Sequence, residues 1–330
     1  MKSIVVTGCA GFIGWKVSEM LLQRGHSVLG IDNMNDYYDP MLKEWRLSRL
    51  KGYKDFSFFN LDISDRIGVV SLLRPESILR ISGSTPEIII NLAARAGVRA
   101  SVEDPWVYLE TNYLGTLNLL EACKEFGIKR FILASTSSIY GLNNTPFREE
   151  DRTDYSLSPY SATKKAAEVL CYTYHYLYGI DVTILRYFTV YGPAGRPDMS
   201  YFKFIRNIDR GITIPVYGDG RQKRDFTYID DIADGTIRCI DLEGYNIINL
   251  GNDNPVELMY VISLIEDNLN KKALIEWLER HAADVPATWA DINRAREILK
   301  WSTTVRIEDG IKRTVDWYRE NRDFIMKLRD

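Results

Sequence analysis

The chain has 330 residues, 45% of them apolar and 26% charged, the composition of an ordinary globular protein with room for about two domains. That excludes disorder, collagen-like repeats and coiled coil as its main content. Forty-two basic against 45 acidic side chains leave a formal charge of −3. No basic excess draws in nucleic acid or an anionic membrane, so any bound phosphate must be held by local groups.

The apolar start at Ile4-Val5-Val6 is broken at once by Gly8, too short for a signal peptide. No stretch approaches the roughly 18 apolar residues of a membrane helix, so a cytoplasmic location is expected. Nearly continuous apolar runs at 4–7, 27–32, 56–61, 87–92 and 130–135 predict parallel strands covered on both faces. Helices are expected between them over 12–24, 41–51 and 105–126. This alternation predicts an α/β fold, a Rossmann-type doubly wound parallel sheet. A helix over 158–178 and a strand over 181–186 continue it. Beyond Tyr191 the pattern changes to a loop at 192–197, a helix at 202–210, a loop at 215–224, a helix from 228 to 240 and an isolated strand at 246–250. Helices over 256–268 and 307–321 follow. The expected division is a nucleotide-binding domain of residues 1–190, with room for a strand or helix near 225–250, and a smaller, mostly helical C-terminal substrate domain of 191–330.

Cys9, Cys123, Cys171 and Cys239 form no CxxC pair and read as buried free thiols of a reducing compartment. His26, His175 and His281 are too scattered for a histidine metal site, and no metal is expected.

Thr7-Gly8-Cys9-Ala10-Gly11-Phe12-Ile13-Gly14 follows a strand and opens a helix. Gly8 permits a tight turn, Gly11 lets the backbone approach a pyrophosphate, and Gly14 lets the helix lie close on the strand. The anion would sit on the free N–H groups of the helix start. Asp32 ends the second strand, 24 residues after Gly8. A carboxylate there accepts both adenine-ribose hydroxyls and repels a 2′-phosphate, which favours NAD over NADP. Asp62, with Ile63, follows the third strand and reads equally as an adenine contact or as the N-cap of a helix over 66–73. The small residues of Leu92-Ala93-Ala94 at the fourth strand's end suit a close cofactor.

Tyr160 and Lys164 stand one helical turn apart on one face. A free phenol has a pKa of about 10; a nearby cation lowers it, and the tyrosine then serves as general base toward a sugar hydroxyl. Ala134-Ser135-Thr136-Ser137-Ser138, 24 residues upstream of Tyr160 counted from Thr136, ends a strand and offers hydroxyls at the same edge.

With these motifs in this order, the chain resembles the extended short-chain dehydrogenases/reductases, in the group of NAD-dependent sugar-nucleotide epimerases and dehydratases. The resemblance runs over nearly the whole chain, through Arg224-Asp-Phe-Thr-Tyr-Ile-Asp-Asp231. Longer strings are similar to UDP-glucuronate 4-epimerases: Asp32–Asp39, Ala96–Ser101, Tyr187–Pro193, Arg196–Met199 and Asp284–Asp291. The resemblance implies that Thr136, Tyr160 and Lys164 are catalytic. It places Asn33, Asn112 and Tyr187 near the cofactor. It assigns the UDP-sugar to Arg99, Ser137, Ser138, Thr189, Arg196, Ile214, Tyr217, Arg224 and Asp284. It also implies a homodimer through a four-helix bundle made from 105–126 and 158–178. Cys9, Arg95, the Ala194-Gly195 pair and His281 depart from the family's usual residues.

The implied reaction inverts C4 of a UDP-hexuronic acid, UDP-glucuronate to UDP-galacturonate, through a 4-keto sugar. Thr189, Ser137 and Ser138 would hold the C6 carboxylate away from the geometry of decarboxylation. The alternatives are epimerisation of UDP-glucose and UDP-galactose, decarboxylation of UDP-glucuronate, or an NAD-binding protein without catalysis.

Overall fold

The computed structural model describes residues 1–279 and 285–329. Its centre is a seven-stranded, all-parallel sheet in the order Tyr245–Leu250, Asp181–Tyr187, Arg130–Thr136, Ile88–Asn91, Ser3–Thr7, Ser27–Asp32, Phe56–Asn60. Alternation along each strand sends side chains to opposite faces. Ile4 and Val6 join one buried cluster and Val5 the other; Ile88 and Ile90 part from Ile89 in the same way. A strand covered on both faces therefore reads as an unbroken apolar run. Ser3–Thr7 pairs with Ser27–Asp32 on one side and Ile88–Asn91 on the other. The order reverses there, and ligands of such sheets bind in the crevice at the strands' carboxyl ends.

Several expectations change in detail. The strand read as isolated at 246–250 is the sheet's edge, in parallel register with Asp181–Tyr187. The loop expected at 215–224 holds two short strands. Ile214–Tyr217 pairs in parallel with Ile275–Leu278, and Lys223–Arg224 pairs antiparallel with Val256–Glu257. Both partners lie tens of residues away, so no local pattern announces them. The helix expected over 105–126 is helical throughout but contains a π-helical stretch, Leu109–Leu114, between Pro105–Tyr108 and Gly115–Phe126. Helices also form at Pro75–Ser82 and Asn293–Leu299, where no expectation stood. Thr189–Tyr191 pairs with Phe226–Tyr228, and the helix Ile229–Ile237 packs against Phe12–Gln23. Residues 226–250 thus return to the sheet and its flanking helix.

Candidate active site

The turn after the first strand is shaped by close backbone approach. Gly8 has φ +70°, and a Cβ there would meet Ala93 N at 2.8 Å. A Cβ on Gly14 would come to 2.0 Å from the Gly8 carbonyl oxygen, so the helix can lie this close only without a side chain. Gly8 N donates to Ile31 O at 2.7 Å. The helix Phe12–Gln23 starts at Gly11 with no side-chain cap and no acidic residue in its first turn. Its first N–H groups are thus left to an anion. Asp32 is 7% exposed. Its carboxylate accepts Ala10 N at 3.1 Å and Met34 N at 2.9 Å, and Lys43 Nζ lies 3.5 Å away. A capless helix start beside a buried strand-end carboxylate fits the diphosphate and ribose of a dinucleotide.

Around this turn Phe12 is buried and Ile13 half-buried. Asn33 donates to Asp62 at 2.6 Å. Burial raises the Asp62 carboxyl, but hydrogen bonds from Ser64 and Asn33 outweigh it and hold the group below its usual value. The cap of Arg66–Leu73 is Asp65, which accepts Gly68 N at 3.0 Å. That corrects the capping alternative for Asp62, whose carboxylate instead turns back on Ser64 beside Asn33. Ile63 is buried against Gly115. Leu92, Ala93 and Ala94 are half-buried at the fourth strand's end, with Ala93 N donating to Thr7 Oγ1 at 3.2 Å. Asn112 is 1% exposed inside the π-helical stretch. It accepts Arg95 N at 2.9 Å and donates to Arg95 O and Thr163 Oγ1, so its amide orders the loop beside the cleft. Tyr187 turns into the core, its hydroxyl 2.7 Å from Thr236 Oγ1, which leaves its main chain at the sheet edge.

Thr136 is the last residue of its strand and caps the turn Ser137–Tyr140. Its hydroxyl accepts Ser138 N at 3.1 Å and donates to Ser138 Oγ at 3.2 Å. Opposite it starts the helix Pro159–Tyr178. A reciprocal Ser158–Ser161 capping box with Pro159 in the first turn fixes that start and sets Tyr160 in the first turn. Burial pushes the Tyr160 phenol above its ordinary value, against a hydrogen bond with Thr136 and the charge of Arg196. This is the reverse of the lowering expected from a neighbouring lysine. Here the loss of solvation outweighs the charges, and Lys164 is itself pushed down to about 8 by burial. Lys164 Nζ donates to Ala134 O at 2.6 Å.

On the substrate side, Arg99 lies over the Tyr217 ring at 4.1 Å. Arg196 forms a two-point pair with Asp198, at 3.0 and 2.5 Å, and lies 5.7 Å from the Tyr37 ring. Ser137, Ser138 and Thr189 are half-buried along the same edge. Ile214 is fully buried in its strand, so its packing supports the loop rather than facing a ligand. Tyr217 and Arg224 line a cavity of about 230 Å³ with Gln222 and Pro286. Arg224 donates to Lys223 O at 2.8 Å and Pro286 O at 3.4 Å. Asp284 and His281 lie outside the described residues. The sequence reading missed Tyr37, whose hydroxyl donates to Ala96 O at 2.7 Å, and Tyr108, whose ring meets that of Tyr160 edge-on at 6.1 Å. The tyrosines of the Asp32–Asp39 string were a visible signal for Tyr37; nothing local marks Tyr108.

A sequence model described as the NAD dependent epimerase/dehydratase family matches residues 4–251. The chain is 52% identical to a UDP-glucuronate 4-epimerase of Thermodesulfobacterium geofontis, over 100% of both chains. It is 42% identical to UDP-glucuronate 4-epimerase 1 of Arabidopsis thaliana, over 96% of this chain and 76% of that one. Its fold is similar to the crystal structure of UDP-glucuronic acid 4-epimerase from Bacillus cereus in complex with UDP-glucuronic acid and NAD. The TM-score is 0.89 and the identity 35%, covering 96% of this chain and 99% of that one.

Proposed function

Because this chain belongs to the NAD-dependent epimerase/dehydratase family, we propose that it interconverts UDP-glucuronate and UDP-galacturonate by inverting C4 through a 4-keto sugar. The observation that carries this is the Lys164–Ala134 O hydrogen bond at 2.6 Å, which sets the helix turn of Tyr160 against the strand that ends in Thr136, at the carboxyl edge of the sheet that also holds the glycine-rich turn and Asp32. Bound NAD supplies the acceptor and donor of hydride, with no net redox change. Tyr160, whose phenol would need the positive charge of bound NAD beside it to ionise, takes the C4 hydroxyl proton and returns it to the same oxygen, held in line by Thr136. Lys164, anchored on Ala134 O, keeps a positive charge beside that cleft. Arg224 and Arg99 hold the diphosphate end, where a guanidinium binds two oxygens at once. Thr189, Ser137 and Ser138 hold the C6 carboxylate, with Arg196 supplying positive charge.

The cofactor unit comprises residues 1–190 with 225–250; the parallel pairing of Tyr245–Leu250 with Asp181–Tyr187 supports that extension. The rest of 191–330 holds the UDP-sugar. The chain forms a homodimer through 105–126 and Pro159–Tyr178. Exposed Trp106, Leu109, Val169, Tyr172 and Tyr176 on these helices support it, since large apolar side chains exposed together suit a contact surface. Its location is cytoplasmic, in keeping with four unpaired buried thiols. Among the described residues, no helix is long and apolar enough to cross a membrane.

Incubation with UDP-glucuronate and NAD, with products resolved by mass and NMR, tests the function. UDP-galacturonate is expected. UDP-xylose as the product, or turnover of UDP-galactose without turnover of uronates, rejects it. Tyr160→Phe is expected to lower turnover by about 10²- to 10⁴-fold while NAD stays bound; unchanged turnover overturns the role given to the phenol.

A further inference from the structure

Arg46 lies on the helix Pro40–Leu50 and has no exposed surface. A buried guanidinium needs its five N–H groups satisfied, and here every acceptor is a neutral oxygen. Nε and Nη2 both donate to Ala194 O, at 3.1 and 2.7 Å, and Nη2 also reaches Gly195 O at 3.1 Å. Nη1 donates to Ala10 O at 3.1 Å and to the Tyr38 hydroxyl at 2.6 Å. One side chain thus grips the glycine-rich turn through Ala10 and, 148 residues from itself, the loop just before Arg196.

That loop is held against its own preferences. Ala194 has φ +53°, in the left-handed region that disfavours a residue with a Cβ. It is also fully buried. Its carbonyl, caught twice by Arg46, is fixed in direction, and Arg196 follows two residues on. The fork shape of the guanidinium matters here, since an ammonium cannot span Ala10, Ala194 and Gly195 together.

We propose that Arg46 is a positioning residue that ties the dinucleotide turn to the 194–195 loop and thereby aims Arg196 at the sugar nucleotide. The aim at a sugar nucleotide rests on the function proposed above; the tie itself does not. It makes loop order, rather than fold stability alone, the property that Arg46 controls.

Two measurements on the full chain, native and Arg46→Lys, test this. In hydrogen exchange, the Met199 amide, which donates to Arg196 O at 3.2 Å, is expected to exchange about tenfold faster or more in the variant, as its segment opens locally. In steady-state assays of the NAD-loaded protein, the variant is expected to raise KM for UDP-glucuronate about tenfold, the equivalent of one charge-assisted hydrogen bond, with kcat little changed. The double variant Arg46→Lys/Arg196→Lys is expected to be no worse than Arg196→Lys alone, because one residue acts through the other. Unchanged exchange at residues 196–199 overturns the tie whether or not the protein epimerises anything. Multiplying effects in the double variant, or a lowered melting temperature with KM unmoved, overturn the aiming of Arg196. A native chain that turns over no uronate rejects the proposed function and leaves the exchange result to decide the tie. If Arg46→Lys fails to fold, Tyr38→Phe removes one acceptor from the same guanidinium and is expected to speed exchange at Met199 by a smaller factor; no change there overturns the tie.

Discussion

Replacing Lys164 with methionine separates what the site gains from what the fold pays for that side chain. Lys164 is 3% exposed, and burial pushes its ammonium down to about 8, with the charges of Glu168 and Cys171 working upward. Against an ordinary lysine near 10.4, holding the proton in the folded chain costs ~3 kcal/mol at neutral pH. Methionine is of similar length and removes that cost, but it leaves Ala134 O, which accepts from Nζ at 2.6 Å, without its donor, at about 1–3 kcal/mol. Lys164→Met should therefore stay within about 2 kcal/mol of native stability at pH 7 while turnover falls by about 10²-fold or more.

The same numbers fix a pH dependence. Between the folded value of about 8 and the unfolded value of about 10.4, the folded chain has released the Lys164 proton and the unfolded chain still holds it. Stability therefore rises with pH across that window. The variant lacks the group, and titrations common to both proteins cancel in the difference. Native minus variant stability should be flat below about pH 8 and should climb by ~3 kcal/mol above it. Urea unfolding of both cofactor-free proteins, followed by tryptophan fluorescence at a series of pH values, measures this. A difference that falls with pH, or a variant unfolded at pH 7, would refute the reasoning.

Gly14→Ala should abolish NAD retention and reduce the yield of folded protein, because its Cβ would lie 2.0 Å from the Gly8 carbonyl oxygen; absorbance of the purified protein at 260 nm against 280 nm reports the first effect. Val169→Glu, at a site 55% exposed on the helix Pro159–Tyr178, should convert a dimer to a monomer with its melting temperature little changed, as read by light scattering. A native chain of monomer mass, or a variant of unchanged dimer mass, would remove these helices as the contact surface.

The parts of the site that were legible in the sequence are those whose geometry is local. Gly14 is constrained by the Gly8 carbonyl six residues before it, and Tyr160 and Lys164 share a face because four residues make about one turn. Asp32 was legible because a strand's last residue points into the crevice of this fold. The strand Ile214–Tyr217 was not, because it exists only by pairing with Ile275–Leu278 and contains Pro215. Asp62 stayed open between an adenine contact and a cap because a second acid, Asp65, precedes the same helix, and only its hydrogen bond from Gly68 N settles which one caps. Arg46 was invisible for a different reason. Its carbonyl acceptors are main chain, which no residue type encodes. The upward shift of Tyr160 was missed because a sequence displays charges but not the burial that opposes them.

A hydrogen-bonded network lies beneath the catalytic edge. Lys164 and Glu168 stand one turn apart on the helix and grip successive residues of the strand Arg130–Thr136. Lys164 donates to Ala134 O, and Glu168 accepts the Ser135 hydroxyl at 2.5 Å. Arg186, on the neighbouring strand, donates to both oxygens of Glu168, at 3.1 and 2.9 Å, and also to the Tyr140 hydroxyl and Glu149 O. Tyr140 in turn donates to Asn249 Oδ1 at 2.7 Å on the edge strand. Both charged groups are 1% exposed. A buried ion pair of this kind adds little net stability over an apolar pair of the same volume, so stability does not account for its placement. What it does supply is register. A helix held to a strand only by apolar contacts can shift by a fraction of a turn at small cost. One held at two consecutive residues by charged groups cannot shift without stranding a buried charge. With the helix locked to Ala134 and Ser135, the next residue of the strand, Thr136, and the side chain one turn earlier on the helix, Tyr160, are left facing each other.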